Sequence, residues 1–236
     1  MDLQKQKAVL AGILLADLVL GIGILLVVSG VLGPGGFRQT SAGQEYMEPK
    51  VAALTFDDGP NHEYTELLLQ GLRERDVKAS FFLIGESIEG NEALIKQMVE
   101  DGHLIGVHCM QHTELTKEKV DHAIAQLESA KDRIEEVTGN QVEYLRPPFG
   151  SWNEVLDETV RAELDMEPVF WDVDSRDWEL RSTSAIVKKV VRDTENGDII
   201  LMHDEFGTSV DAAFQIIDNL MAKGYTFVTV NELMVD

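Results

Sequence analysis

Two neighbouring aspartates follow the first β-rich run of the chain, in the segment Thr55-Phe56-Asp57-Asp58-Gly59-Pro60. One carboxylate of such a pair can bind a metal ion while the other accepts a proton. Side chains at i and i+1 point apart on a strand, so both serve one site only if the backbone turns. Gly59-Pro60 favours such a turn. Taken alone, the segment is equally compatible with a solvated turn.

Two histidines, His108 and His112, follow the third β-rich run. Imidazoles at i and i+4 converge on one face if the segment is helical or tightly turned, which suits a shared divalent ion. A histidine pair alone is also compatible with two ordinary histidines that bind no metal. Together with one carboxylate from another strand end, the pair would leave coordination positions open for water and substrate. This arrangement is typical of a catalytic metal site rather than a structural one.

Three further polar groups follow later β-rich runs. Arg146-Pro147-Pro148-Phe149-Gly150 combines a cation that can hold a carboxylate in a bidentate pair with a rigid loop that can present a backbone N–H to an oxyanion. Asp174-Ser175-Arg176-Asp177-Trp178 follows the fifth run, and Leu201-Met202-His203 ends the sixth. His203 has the chemistry of a general acid, and a nearby aspartate could orient its ring. The other histidines are expected at the surface: His62, His103 and His122.

Short β-rich runs alternate with longer helical patterns to position these groups. The predicted strands cover residues 51–56, 80–84, 104–108, 144–146, 168–173, 199–203 and 226–230. The predicted helices lie near 63–75, 87–101, 116–137, 154–166, 183–195 and 208–223, most with apolar residues at helical spacing, as in Leu67, Leu68, Gly71 and Leu72. This alternation predicts an α/β fold with a parallel sheet, open or closed into a barrel. In either case ligands bind at the C-terminal ends of strands.

Composition limits the classes of partner. The chain has 236 residues and a formal net charge of −22, which argues against nucleic acid because a phosphate-binding surface needs clustered Lys and Arg. The same balance argues against docking flat on anionic lipid. The single cysteine, Cys109, cannot form a disulfide within the chain. A hydrophobic fraction of 44% predicts a domain with an ordinary core.

The N-terminal part is predicted to anchor the chain in a membrane. Residues 8–32 contain sixteen Leu, Ile or Val and one charge, Asp17, and would form a helix about 37 Å long. Their insertion is favourable by about 5–10 kcal/mol, which outweighs about 3 kcal/mol for the aspartate. We predict a cytoplasmic N-terminus (1–7), an uncleaved transmembrane signal-anchor (8–32), a flexible linker (33–49) and an extracellular domain (50–236).

The polar segments, taken in order, resemble the five motifs of the polysaccharide deacetylase family, the NodB-homology domains of carbohydrate esterase family four. They stand at 55–60, 108–112, 146–150, 174–178 and 201–203, so the resemblance covers essentially residues 50–236. It implies a distorted (β/α) barrel of about seven parallel strands. It also implies a bound divalent metal, usually Zn²⁺ and sometimes Co²⁺ or Ni²⁺.

The resemblance also implies a role for each matching residue. Asp58, His108 and His112 would bind the metal. Asp57 would be the general base, oriented by Arg146, and His203 the general acid, tethered by Asp177. The backbone N–H of Phe149 would stabilise an oxyanion, and Trp178 and Leu201 would line a groove for the acetyl methyl.

Two residues depart from the family pattern beside the first metal histidine. Cys109 replaces a Ser or Thr whose hydroxyl would buttress the loop, and as a thiol it is either a silent substitution, which we favour, or a competing ligand. Val107 stands where many relatives carry Asn, which predicts weaker support for the ligand. Neither departure removes a reacting group.

The expected function is therefore removal of N-acetyl groups from N-acetylhexosamine units of a cell-envelope polysaccharide, peptidoglycan first among them. Two alternatives remain open. One is an O-deacetylase that uses the same site on an ester of an acetylated polysaccharide, and the other is a non-catalytic glycan-binding relative. The reacting residues Asp57, Asp58, His108, His112 and His203 are all present, which counts against the second.

Overall fold

A computed structural model describes residues 50–234 of the chain. The predicted N-terminus, membrane anchor and linker, residues 1–49, lie outside the described residues. Within residues 50–234, no helix has the length and apolar character that a membrane span requires.

One parallel sheet forms the framework of the described region. Its strands are β1 (Lys50–Asp57), β2 (Ser80–Ile84), β3 (Leu104–Cys109), β4 (Tyr144–Leu145), β5 (Glu167–Pro168), β6 (Val173–Asp174), β7 (Ile199–His203) and β8 (Tyr225–Val228). The order across the sheet is β5-β4-β3-β2-β1-β7-β6, and β8 pairs with the N-terminal half of β1. Every pairing is parallel, which confirms the predicted α/β class.

The two edges of this sheet are consecutive in the chain, and that fact forces the sheet to curl. Only residues 169–172 join β5 at one edge to β6 at the other, and five extended steps span at most about 17 Å. A flat sheet of seven strands would be about 29 Å wide, since neighbouring strands lie about 4.8 Å apart. The sheet therefore bends toward a barrel that is not closed by hydrogen bonds between its edges.

The predicted fifth strand, 168–173, is wrong as a continuous element. The structure has two short strands there because the chain changes partner. Val169 N donates to Leu145 O on one edge, whereas Asp172 N donates to Ile199 O on the other. The residues between them cross the gap and pair with neither neighbour as a strand would.

Helices cover the outside of the sheet, close to the six predicted ranges. They are α1 (Tyr64–Glu74), α2 (Glu92–Glu100), α3 (Val120–Thr138), α4 (Glu154–Glu163), α6 (Thr183–Asp193) and α7 (Gly207–Ala222). Two four-residue helices were not predicted, α5 (Asp177–Leu180) and α8 (Val230–Leu233). α2 begins later than predicted because Gly90 adopts φ +85° and Asn91 precedes the first helical turn.

The core lies between the sheet and these helices. β1 is buried from Ala52 to Asp57 because it pairs on both sides, so its C-terminal end opens into the middle of the sheet. Leu68 of α1 is fully buried, whereas Leu67 is 51% exposed and takes no part in the core. The surface prediction is confirmed for His62 and His122 and is wrong for His103, which is buried where its Nδ1 accepts a hydrogen bond from Ala79 N.

Candidate active site

The first strand delivers two carboxylates with different surroundings. Asp57 is the last residue of β1 and is almost fully buried. Asp58 has φ +74°, a left-handed conformation that swings its side chain away from the strand direction. The turn that joins the two carboxylates in one site therefore begins at Asp58 itself and not, as the sequence suggested, at Gly59-Pro60.

The third strand delivers two imidazoles. His108 lies near the end of β3, and the chain then bends sharply after Cys109, which has φ +133°. The bend returns His112 to the same side, with the two ring centroids 5.1 Å apart. The tight turn that i, i+4 convergence requires is thus a bend and not a helix.

A backbone carbonyl determines which ring nitrogen of His108 carries the proton. Its Nδ1 lies 2.8 Å from Arg146 O, and because a carbonyl only accepts, Nδ1 carries the hydrogen and Nε2 carries the lone pair. Burial lowers the pKa of the His108 imidazole, against the opposing charges of Asp57 and Asp58. His108 is therefore held neutral, in the tautomer that a metal ligand needs.

Asp58, His108 and His112 fit a divalent cation. Their ligand atoms all lie within 4.8 Å of one another. Asp58 Oδ1 is 3.4 Å from His108 Nε2 and 3.5 Å from His112 Nε2. Tetrahedral bonds of about 2.0–2.1 Å place ligand atoms about 3.3–3.4 Å apart, so these two distances match. Within residues 50–234, this buried oxygen has no hydrogen-bond partner, which is expected of an atom that waits for a cation.

Arg146 holds the other carboxylate from beneath the site. Its guanidinium is completely buried, and Nη1 donates to Asp57 Oδ1 at 2.9 Å and to Thr55 Oγ1 at 2.6 Å. The bidentate pair that the sequence suggested is wrong, because the remaining donors point to the carbonyls of Val169 and Phe170. Asp57 Oδ2 makes no hydrogen bond within residues 50–234 and lies 4.0 Å from His108 Nε2.

His203 ends β7, directly beside Asp57 in the register of the sheet. Asp177 is fully buried and makes two hydrogen bonds to this histidine. Its Oδ1 lies 2.7 Å from His203 Nδ1, and its Oδ2 accepts from His203 N. Burial lowers the pKa of the His203 imidazole, but the hydrogen bond and charge of Asp177, with the charges of Asp57 and Asp58, outweigh it and raise the pKa to about 9. The ring is therefore a cation at neutral pH.

A cavity of 410 Å³ opens above these groups. Its lining includes the predicted residues Asp57, Asp58, His108, His112, Phe149, Trp178, Leu201 and His203. Arg146 and Asp177 lie behind this wall, each bonded to a lining residue. Phe149 has φ +61° and packs its ring edge-on against His112 at 4.6 Å. The structure thus brings all ten predicted site residues together.

Three lining residues were not singled out from the sequence: Pro147, Trp171 and Asp174. Asp174 and Pro147 stand inside the recognised segments, so their positions beside known site residues were the available signal. Trp171 lies in the crossing between β5 and β6, where a continuous strand was predicted. Its ring lies 5.7 Å from the Arg146 guanidinium and 2.8 Å from where a Cβ on Gly150 would stand.

The structure shows what Cys109 and Val107, the two residues that depart from the family pattern, contribute beside His108. The Cys109 thiol is buried and lies within hydrogen-bond reach of Gln111 O and Gln126 Oε1, so it faces the loop rather than the metal ligands. It buttresses the bend as a hydroxyl would, more weakly. At Val107 the side chain gives no polar support, and the carbonyl of Arg146 supports His108 instead.

Comparison with known proteins gives concordant matches. Residues 44–169 match the family model described as polysaccharide deacetylase. The chain is 37% identical over 192 residues to the peptidoglycan-N-acetylmuramic acid deacetylase PdaC of Bacillus subtilis, covering 80% of this chain and 40% of that protein. It is 36% identical to a peptidoglycan-N-acetylglucosamine deacetylase of Bacillus cereus, covering 78% of this chain and 88% of that protein. A solved structure of PdaC superposes with a TM-score of 0.74, covering 78% of this chain and 90% of that one. The chain therefore spans about two fifths of PdaC itself.

The Asp177–His203 pair predicts an unusual titration. In the metal-free protein, the Cε1–H resonance of His203 should titrate near pH 9 by NMR. Asp177→Asn removes the partner charge and leaves the burial, so it should lower the pKa by about one to three. At any one pH, the resonance of the exposed His62 should be the same in the wild type and the variant. Titration of wild-type His203 at or below 6.5 would contradict this account.

Proposed function

Because the chain belongs to the polysaccharide deacetylase family, we propose that it removes N-acetyl groups from N-acetylhexosamine units of a cell-envelope polysaccharide, with peptidoglycan as the substrate. The observation that carries the proposal is that Asp57 and His203, on neighbouring strands, line the same cavity. One is a carboxylate held by Arg146, and the other is a cation held by Asp177. A base and an acid in these states are what amide hydrolysis requires.

Asp58, His108 and His112 would hold the cation, which we take to be Zn²⁺, with Co²⁺ or Ni²⁺ as substitutes. When bound there, a divalent cation supplies Lewis-acid polarisation of water and of the amide carbonyl. The two histidines and one carboxylate leave positions open for these oxygens.

Asp57 then acts as the general base. Its free Oδ2 accepts a proton from the attacking water as the water oxygen bonds to the acetyl carbon. Arg146 bonds the other oxygen, which keeps the carboxylate aimed into the cavity. The backbone N–H of Phe149, on the wall of the same cavity, is the donor for the oxyanion that develops.

His203 completes the reaction as the general acid. An amide nitrogen leaves poorly as an anion, so the carbon–nitrogen bond breaks as His203 Nε2 transfers its proton to that nitrogen. The products are acetate and a free amine on the sugar. Asp177 bonds Nδ1 and leaves Nε2 to face the cavity. Trp178 and Leu201, which are apolar, line the space for the acetyl methyl.

The printed names of the relatives support the choice of substrate. The Bacillus cereus relative, of which this chain covers 88%, is a peptidoglycan-N-acetylglucosamine deacetylase, and PdaC is a peptidoglycan-N-acetylmuramic acid deacetylase. An N-acetylhexosamine of peptidoglycan is the chemistry common to both names. We propose the same class for this chain, without a choice between the two sugars.

We further propose that residues 8–32 anchor the protein in the cell membrane with the hydrolase domain outside. Expressed in bacteria, the full chain should remain in the membrane fraction after an alkaline wash and be digested by protease added to spheroplasts. Leu15→Arg combined with Leu25→Arg adds about 5–7 kcal/mol to the cost of insertion and should release the protein from that fraction. Retention of the double variant in the membrane would refute the anchor.

Asp57→Asn should lower kcat for acetate release by about 10²- to 10⁴-fold, because it removes the proton acceptor and keeps the shape. The assay uses the full chain in detergent with added Zn²⁺, on N-acetylglucosamine oligomers and on peptidoglycan. Asp132→Asn, on the exposed side of α3, is the matched control and should retain wild-type activity.

Failure of the wild type to release acetate from every N-acetylated glycan, with Asp57→Asn behaving alike, would reject the proposed function. Release from O-acetylated polysaccharide alone would replace the amide substrate with an ester.

A further inference from the structure

A buried carboxylate beside the active site takes no part in the chemistry described so far. Asp204 follows His203 directly and is 1% exposed. Its Oδ2 accepts a hydrogen bond from Thr65 Oγ1, while Oδ1 is buried without a partner among the residues described. An incompletely paired buried carboxylate costs stability. Such a cost is expected where a residue serves the site rather than the fold.

This carboxylate lies against the turn that carries the metal ligand. A Cβ added at Gly59 would stand 2.6 Å from Asp204 Oδ2 and 2.9 Å from Oδ1, closer than any side chain tolerates. On the sheet side, Gly59 O accepts a hydrogen bond from Ile84 N at 2.9 Å. The turn is therefore held between β2 and the Asp204 carboxylate.

Thr65 of α1 ties the far end of the same turn to Asp204. Its hydroxyl donates to Asp204 and accepts from Asn61 N at 2.7 Å, so one oxygen joins both. Asn61 in turn accepts from Tyr64 N through Oδ1, which fixes the entry into the helix. Thr65 is completely buried, so water does not compete for these bonds.

The turn needs such restraint because Asp58 is strained. A non-glycine residue at φ +74° would relax toward a commoner conformation if its neighbours allowed it. Relaxation would withdraw Oδ1 from its position 3.4 Å from His108 Nε2 and 3.5 Å from His112 Nε2.

We propose that Asp204 is a positioning residue that acts through Gly59 and Thr65 to hold Asp58 in its metal-binding conformation. Since Asp204 also follows His203, one dipeptide sets both the general acid and the geometry of the metal ligand. The inference rests on the metal site of the proposed hydrolase and is independent of the substrate.

Thr65→Val tests the proposal, because it keeps the shape of the side chain and removes both hydrogen bonds. Zinc affinity is measured on the full chain in detergent, by competition with a chromophoric chelator. Thr65→Val should weaken it by about 10- to 100-fold, the effect typical of residues that orient metal ligands. Thr65→Ser retains the hydroxyl and should restore the affinity to within about threefold of wild type. Asp204→Ala should weaken zinc binding at least as much as Thr65→Val.

Thr194→Val is the matched control for loss of a buried hydroxyl. Thr194 is 9% exposed and donates to Val190 O at 2.7 Å, within α6 and its C-terminal cap and away from the cavity lining. It should lower the melting temperature of the metal-free protein as Thr65→Val does, yet leave zinc affinity at the wild-type value.

Three results decide the matter. Wild-type zinc affinity in Thr65→Val, or equal weakening in Thr194→Val, overturns the positioning role. Absence of zinc binding by the wild type overturns it together with the metal site. Zinc binding that depends on Thr65 in a protein that releases no acetate upholds the positioning role and rejects only the proposed function.

Discussion

Asp58 Oδ1 lies 3.4 Å from His108 Nε2 and 3.5 Å from His112 Nε2, and the rest of the site must hold the oxygen in that position. His108 Nε2 carries a lone pair, so this nitrogen and the Asp58 oxygen do not attract one another, and the oxygen is buried without a hydrogen bond among the described residues. The arrangement costs free energy in the absence of a cation, both in desolvation and in the left-handed backbone of Asp58. The fold maintains it through the ends of β1, β2, β3 and β7, which a curled parallel sheet brings to one rim.

Around that centre, each reacting group has a buried partner of opposite charge. Arg146 lies beneath Asp57 and Asp177 lies behind His203, both with no exposed surface. Asp177 favours the protonated acid by raising the pKa of the His203 imidazole to about 9, and Arg146 bonds one oxygen of the base. The base and the acid stand on neighbouring strands, and a separate partner for each is how the two can coexist at one cavity.

Much of this site could be predicted from sequence, because polar residues at the ends of consecutive parallel strands must meet at one edge. That rule, with the motif resemblance, predicts Asp57, Asp58, His108, His112 and His203. It could not find contacts that depend on how separate elements pack. The hydrogen bond from Thr65 to Asp204 links residues 139 positions apart, and neither residue belongs to a motif that would reveal the contact.

Other errors have the same physical origin. The run 168–173, apolar except for Asp172, has the composition of a strand, but the chain must leave one edge of the sheet for the other there. Of the four residues predicted for the apolar face of α1, Leu68, Gly71 and Leu72 are buried, whereas Leu67 is exposed because of how α1 is oriented on the sheet. The sequence around His103 gives no sign of burial. The ring is buried where its Nδ1 accepts a hydrogen bond from the backbone N–H of Ala79, the residue before β2.

Anomalous diffraction at the zinc edge, from crystals of the protein grown with Zn²⁺, would show directly whether Asp58, His108 and His112 bind one ion. We expect one strong peak bonded to Asp58, His108 Nε2 and His112 Nε2 at about 2.0–2.2 Å. A peak bonded to the Cys109 thiol in place of Asp58, or no peak at these three residues in zinc-saturated crystals, would contradict it.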